Sequence, residues 1–289
     1  MYMLTNEEIK AYLNRIGIED IEPPTKEYFF ELHKAHVKSV PWQTIDIFAG
    51  KPDGIDLKDS VQLILNHRSG YCFHHNGAFS ALLRTLGYKV QFHRAGVQPP
   101  GTEPRINSFH LGLTVNVVND LLEEEVWIAD VGLGDMPFEP LPLQAGSYNQ
   151  GPFTYKVADS GVAANGWRLE HDPQASFIGV DFDPYVLDDI EEFKPKHEHY
   201  SRSPESPWFN MFLIRHRHAA GSNELRGCVW SKRDIHGIQK IEINNKTQWL
   251  EVLGDIFREN LVSYSSQERD ELWKRVRIAH EEWKRSQAV

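Results

Sequence analysis

The sequence predicts an α+β protein, and three observations carry that expectation. Apolar residues recur at helical spacing through the first 87 positions. They then alternate in short runs separated by Pro, Gly and Asn up to about residue 200, the pattern of antiparallel strands. The last stretch mixes both periods. Helices first and strands afterwards argue against a doubly wound sheet, in which the two would alternate along the chain.

Element by element, Thr5 and Glu8 form a T-x-x-E capping box ahead of Ile9, Tyr12, Leu13 and Ile16, and Gly17 closes that helix. A second helix is expected from Thr25 to about Val40, stopped by Pro41, and a third from Lys58 to Asn66. The fourth opens at Cys72 and carries Phe73, Phe79, Leu82, Leu83 and Leu86, with Gly87 as its C′ residue. Strands are expected near 88–97, 109–118, 125–131, 152–158, 166–171 and 177–182. The Pro- and Gly-rich stretch 135–151 reads as a long loop, and 185–206 as an acidic connector. Strands near 225–230 and 237–243, a helix at 247–258 and a charged helix from Gln267 to Arg285 complete the chain.

Composition excludes several function classes. A net charge of −10 argues against a broad basic surface for nucleic acid or anionic lipid. No apolar stretch approaches the ~20 residues that a membrane helix needs. Two cysteines make no disulfide framework for 289 residues, and the opening MYMLTNEEIKAYLNRIGI lacks the basic and apolar regions of a secretory signal. The expected compartment is the cytoplasm.

Cys72 follows Arg68-Ser69-Gly70-Tyr71 at the start of a helix, where free N–H groups favour a thiolate. Packing and nucleophilic chemistry are both open to it. In FHLGLTVNV, Phe109, Leu111, Leu113, Val115 and Val117 share one face, which leaves His110 with Gly112 and Thr114 on a face small enough for a cavity. His110 is a surface-strand histidine or a base. Asp130 ends an apolar strand ahead of Gly132 and Gly134, as a turn former or as the carboxylate that orients an imidazole. Side chains alternate, so His110 and Asp130 meet only if paired residue numbers sum to an even value. A two-residue turn at Asn119-Asp120 would separate them, so a three- or five-residue loop centred near Leu121, or a bulge, is expected.

Taken together, RSGYCFHHN (68–76), FHLGLTV (109–115) and WIADVGLGD (127–135) resemble the three active-site blocks of the arylamine N-acetyltransferases, in the same order. YLNRIG (12–17), HVKSVPWQTID (36–46) and YSRSPESPWF (200–209) resemble further landmarks, so the likeness covers most of the chain. The resemblance implies a helical bundle (1–87) with the nucleophile, a β-barrel-like unit (88–200) with the His and Asp, and an α/β lid (201–289), around a cysteine-protease-like catalytic core. It implies Cys72 as acyl-accepting nucleophile, His110 as base and Asp130 as orienter. It implies acetyl-CoA as co-substrate, contacting Asn107, Ser108, Gly132, Gly134, Ser203 and Ser206, and no permanently bound cofactor or metal. The acceptor would be an arylamine or hydrazine held by Trp42, Phe73 and Leu133. Departures fall at Ser69 for a glycine, at Leu133 for an aromatic, and at Pro41-Trp42-Gln43-Thr44 for P-F-E-N. The last loses a carboxylate that would pair with Arg68. Two other classes stand beside this reading: an amide synthase working on a carrier-bound acyl chain, and a non-catalytic binding protein of the same fold.

Other constellations have plainer readings. His197-x-His199 and His216-x-His218 read as solvated histidines rather than metal ligands, and His33 with His36 as packing or surface groups. Cys228 reads as buried filler in a strand. Leu272, Trp273, Val276, Ile278, Ala279 and Trp283 form a face that docks the last helix on the body.

Overall fold

The computed structural model describes residues 2–118 and 121–287. Helix α1 (Asn6–Ile16) begins in the expected capping box: Glu8 N donates to Thr5 Oγ1 at 3.2 Å and Thr5 N to Glu8 Oε2 at 2.9 Å. Helix α2 (Lys26–Ser39) is capped by Thr25. Strand β1 (Trp42–Gln43) and the single turn α3 (Ile45–Phe48) follow, then α4 (Leu57–Leu65) and α5 (Cys72–Thr85). Twelve of the fourteen residues of α5 are buried, so this helix is the axis of the bundle.

The chain then enters β2 (Lys89–Gln98), β3 (His110–Val118), β4 (Glu124–Ile128), β5 (Leu141–Pro142), β6 (Gly146–Gln150), β7 (Phe153–Asp159), β8 (Trp167–Glu170) and β9 (Gly179–Leu187). These eight make one antiparallel sheet in the order β5-β4-β3-β2-β9-β8-β7-β6. Its two edges are consecutive in the chain, and the sheet curls into a nearly closed barrel. Two of its strands, β5 and β6, lie inside 135–151 and correct the loop expected there. Both are short, β5 being only Leu141-Pro142 and β6 the polar GSYNQ, and cross-strand pairing rather than apolar alternation holds them.

A 3-10 turn (Glu191–Phe193) and α6 (Lys194–Arg202) occupy the segment expected to be a plain connector. Beyond a second 3-10 turn (Pro207–Asn210) come β10 (Leu213–His218), β11 (Gly221–Arg226), β12 (Val229–Asp234) and β13 (Gly237–Glu242). They form an antiparallel sheet in the order β1-β10-β11-β12-β13, so the last third takes its edge strand from residues 42–43. Helix α7 (Lys246–Glu251) runs on into a π-turn (Val252–Ile256), and α8 (Ser266–Gln287) ends the described chain.

One core joins the bundle to the barrel, and a second lies between the five-stranded sheet, α7 and α8. Helix α8 docks through Leu272, Val276 and His280, whereas Ile278 and Trp283 are half exposed, contrary to the docking face expected of them. A spacing of four keeps 272, 276 and 280 on one line, and 278 and 283 fall off it. Cys228 is fully buried, but in the two-residue turn between β11 and β12 rather than in a strand. Among the described residues, no helix is long and apolar enough to cross a membrane, and no cluster of His, Cys, Asp and Glu could hold a metal ion.

Candidate active site

The barrel and the bundle meet at α5 and β3. Tyr71 is the N-cap of α5, and Cys72 is its first residue, 5% exposed. The Cys72 Sγ lies 3.7 Å from the carbonyl oxygen of Phe109, the residue before β3. The next residue is His110, which is buried, so the structure removes the surface-strand reading. Its Nε2 contacts Asp130 Oδ2 at 2.5 Å, and both side chains are almost completely buried.

Strand register delivers this meeting. Val118 pairs with Glu124 and Thr114 with Ile128, so paired numbers sum to an even value and residues 119–123 form the connection. That is a five-residue connection centred on 121. Asn119 and Asp120, where a two-residue turn was the alternative, lie outside the described residues. Asp130 lies two residues beyond the last pair of β4, where Ala129 N still donates to Leu113 O at 3.0 Å.

Asn76, one turn along α5 from Cys72, locks the carboxylate. Its Nδ2 donates to Asp130 Oδ1 at 2.9 Å and to Leu111 O at 2.6 Å, while its Oδ1 accepts from Val131 N at 3.0 Å. Gly132 N adds a fourth bond, to Asp130 Oδ1 at 2.9 Å. A Cβ at Gly132 would lie 2.9 Å from both Asn76 Nδ2 and Cys72 Cα, so only glycine lets the 130–134 loop lie this close to α5. The sequence reading passed over Asn76. Its signal was the i, i+4 spacing from Cys72, which puts both on one helix face.

Electrostatics follow from burial. Burial alone would raise the Asp130 carboxyl, but the facing His110, Asn76 and the Gly132 N–H hold it below the usual range. The Cys72 thiol is pushed up by burial and by the Asp130 charge, against the N–H groups of Phe73, Leu111 and Cys72 itself. This departs from the lowered thiol expected at a helix start, because desolvation of a lone thiolate outweighs those dipoles. The cavity expected on the His110 face is filled: Phe182 packs against Gly112 and stacks on Trp167.

The other expected site residues divide. Trp42 and Leu133 are buried near the site, Trp42 against Trp208 and beneath the Arg215 guanidinium. Trp208 also touches Tyr71, Phe109 and Tyr200, so an aromatic cluster stands over the Phe109 side of Cys72. Phe73 instead packs into the core against Tyr71 and Phe193. Asn107 accepts from Phe109 N, Ser108 adopts φ 56° and donates to Glu192, and Ser203 accepts from Glu205 N. Ser206 is buried, its hydroxyl donating to Tyr200 O and accepting from Trp208 N. The Arg215 side chain lies against Gly134.

Two histidines expected in solvent, His197 and His216, are buried, and so are His36 and His75. His197 Nδ1 meets Tyr71 Oη at 2.6 Å, and His216 Nε2 meets Lys38 O at 2.7 Å. Tyr12 Oη, His36 and His75 form a hydrogen-bonded line ending at Pro41 O. Backbone carbonyls and neighbouring rings supply at least one partner to each of these imidazoles, which the spacing of histidines cannot reveal.

A family model described as N-acetyltransferase matches residues 26–264. The "Arylamine N-acetyltransferase / N-hydroxyarylamine O-acetyltransferase" of Salmonella typhimurium is 34% identical over 170 residues, which cover 56% of this chain and 56% of that protein. The arylamine N-acetyltransferase of Mycobacterium bovis is 30% identical over 148 residues, covering 48% of this chain and 50% of its own. The chain thus spans about half the length of the curated relatives it matches. Its fold is that of the Mycobacterium marinum arylamine N-acetyltransferase in complex with CoA, with a TM-score of 0.81 at 23% identity over 93% of this chain and 98% of that one.

Proposed function

We propose that this chain, which belongs to the arylamine N-acetyltransferase family, moves an acetyl group from acetyl-CoA to the nitrogen of an arylamine or arylhydrazine through a cysteine acyl-enzyme. The observation that carries this reading is the buried contact of His110 Nε2 with Asp130 Oδ2 beside the helix start at Cys72. With Nε2–H donating to the carboxylate, Nδ1 is left as the basic nitrogen of the imidazole.

In the first half-reaction His110 takes the Cys72 proton, and the thiolate attacks the thioester carbonyl of acetyl-CoA. The C–S bond to coenzyme A breaks, and the imidazolium returns its proton to the departing thiolate. The attraction of the facing imidazolium offsets part of the burial penalty that a lone thiolate would bear. In the second half-reaction the weakly basic amine, unprotonated near neutral pH, attacks the acyl carbonyl. His110 takes the amine proton and delivers it to the Cys72 sulfur as the amide leaves. The N–H groups of Cys72 and Phe73 are our candidates for stabilising the oxyanion, a contribution of about 3–4 kcal/mol per donor in other enzymes.

Trp42 and Leu133 are our candidates for the acceptor side. The core packing of Phe73 argues against direct contact there. For coenzyme A, Asn107, Ser108, Gly132, Gly134 and Ser203 remain candidates, whereas both bonding roles of the Ser206 hydroxyl are already filled within its turn. Incubation with acetyl-CoA and no amine, followed by peptide mass spectrometry, tests the reading. One acetyl group should appear on the Cys72 peptide and disappear when an arylamine is added. An acetyl group elsewhere, or an active Cys72→Ala variant, would defeat it.

A further inference from the structure

Gln43 stands where the family pattern has a glutamate, and the missing carboxylate would be expected to leave Arg68 without a partner. The structure supplies that partner elsewhere. Arg68 forms a two-pronged pair with Asp53 and lies 3.3 Å from Asp46 Oδ2. Position 43 is therefore free for another task.

All four hydrogen-bonding capacities of the Gln43 carboxamide are used. Oε1 accepts from the N–H groups of Ile45 and Asp46. Nε2 donates to Ser69 O at 2.7 Å and to Asp46 Oδ2 at 2.8 Å. Only this orientation of the amide satisfies every partner. The backbone N–H of the same residue donates to Gly70 O at 2.7 Å. Gln43 thus grips two consecutive carbonyls in the turn that leads to Cys72. Asp46 is held in turn by Tyr264, whose hydroxyl donates to Oδ1 at 2.5 Å. Burial and the Asp46 charge push the Tyr264 phenol up, so it remains a donor.

We propose that Gln43 is a positioning residue for Cys72: its carboxamide, aligned by Asp46 and Tyr264, fixes the carbonyl of Ser69 beside the Gly70 carbonyl that its backbone N–H holds, and with them the first turn of α5. The proposal rests on Cys72 being the nucleophile. A glutamate at 43 would fail in this setting. Its carboxylate would face Ser69 O and Asp46 Oδ2, three acceptors whose neighbouring proton donor, Arg68, is already engaged by Asp53 and Asp46. Protonation would restore one donor.

Gln43→Glu, Gln43→Met and Tyr264→Phe test this through two rates: alkylation of Cys72 by iodoacetamide, and acyl-enzyme formation with acetyl-CoA. Gln43→Glu and Gln43→Met should slow both about tenfold or more at about pH 8, as a small misplacement of a reacting group does. Tyr264→Phe should act in the same direction with a smaller loss, and it keeps the test open should either substitution at 43 fail to fold. The Gln43→Glu rate, taken as a ratio to wild type, should rise as pH falls from about 8 to about 6, because the introduced carboxyl takes up the proton it needs. Around position 43 stand Asp46, Arg68, Glu259 and Tyr264, with Asp53, His74 and His197 in the adjoining cleft. Glu259 is pushed up to about 7 by burial, and the ratio to wild type cancels its titration. Gln43→Glu at or above wild-type rates, or a ratio flat with pH, would overturn the proposal. A wild type that alkylates at Cys72 but never acylates would instead overturn the function proposed above.

Discussion

Asn76 and Asp130 are joined by a 2.9 Å hydrogen bond between two fully buried side chains, one on the bundle's central helix and one at the end of a barrel strand. The bond ties the helix that carries the thiol to the loop that carries the carboxylate. Position of one with respect to the other is set without His110.

Asn76→Ala should therefore cost about 2–4 kcal/mol of stability, since the Leu111 carbonyl and the Val131 N–H lose their partner in a buried site. Asn76→Asp should be worse for acylation than Asn76→Ala, because it sets a second carboxylate against Asp130. Chemical denaturation and single-turnover acylation of both variants check this. Equal acylation rates in the two would show that the amide's contribution to the site is packing alone.

The pH dependence of Cys72 alkylation reads how the thiol is activated. Burial raises the lone thiol, so reaction below the free value of ~8.5 depends on His110 accepting the proton. Wild type should alkylate readily at about pH 6.5, and Asp130→Asn should move the rate profile upward by about one unit or more. The direct contact with His110 outweighs the relief of Asp130's repulsion of the thiolate, which acts over a greater distance. Cys228, buried and also pushed up, should react slowly throughout. A profile unchanged in Asp130→Asn would contradict the proposed role of that carboxylate.

Acid should unfold the protein steeply. Burial pushes His33, His74, His75, His93, His197 and His216 down to about 4, and holds His36 well below the ordinary imidazole range too. In the unfolded chain they titrate near ~6.5, so the unfolded state binds more protons between these values. Their contribution is intact above ~6.5 and is lost as pH falls towards 4, at about 1 kcal/mol per histidine by pH ~5.5. Urea denaturation across this range should show uptake of several protons on unfolding. An uptake below one proton would mean that these imidazoles are not neutral and buried in solution.

Much of this was legible in the sequence, for physical reasons. The capping box at Thr5 and the helix start at Cys72 are local properties of the chain, and the parity of the 110–130 hairpin follows once His110 and Asp130 are required to meet; the structure has all three. What escaped the reading depends on distant partners. Strand β10 reads LIRHRH, whose basic residues hide a largely buried strand. Arg217 is fully buried there only because the carbonyls of Gln150, His218 and Gly221 receive its guanidinium. Likewise, Gln43 read as a lost charge because Asp46 and Asp53 become neighbours of Arg68 only through folding.

The edge strand Trp42–Gln43 has a consequence for the order in which the protein is made. Trp42 and Gln43 pair with Arg215 and Ile214, Thr44 N reaches Leu213 O, and Tyr264 closes on Asp46. While a nascent chain has emerged only as far as the barrel, the turn before Cys72 has no outer wall and Asp46 lacks its bond from Tyr264. The full set of contacts around the turn before Cys72 therefore forms only once residue 264 has been added, long after the helix that bears Cys72 has been made.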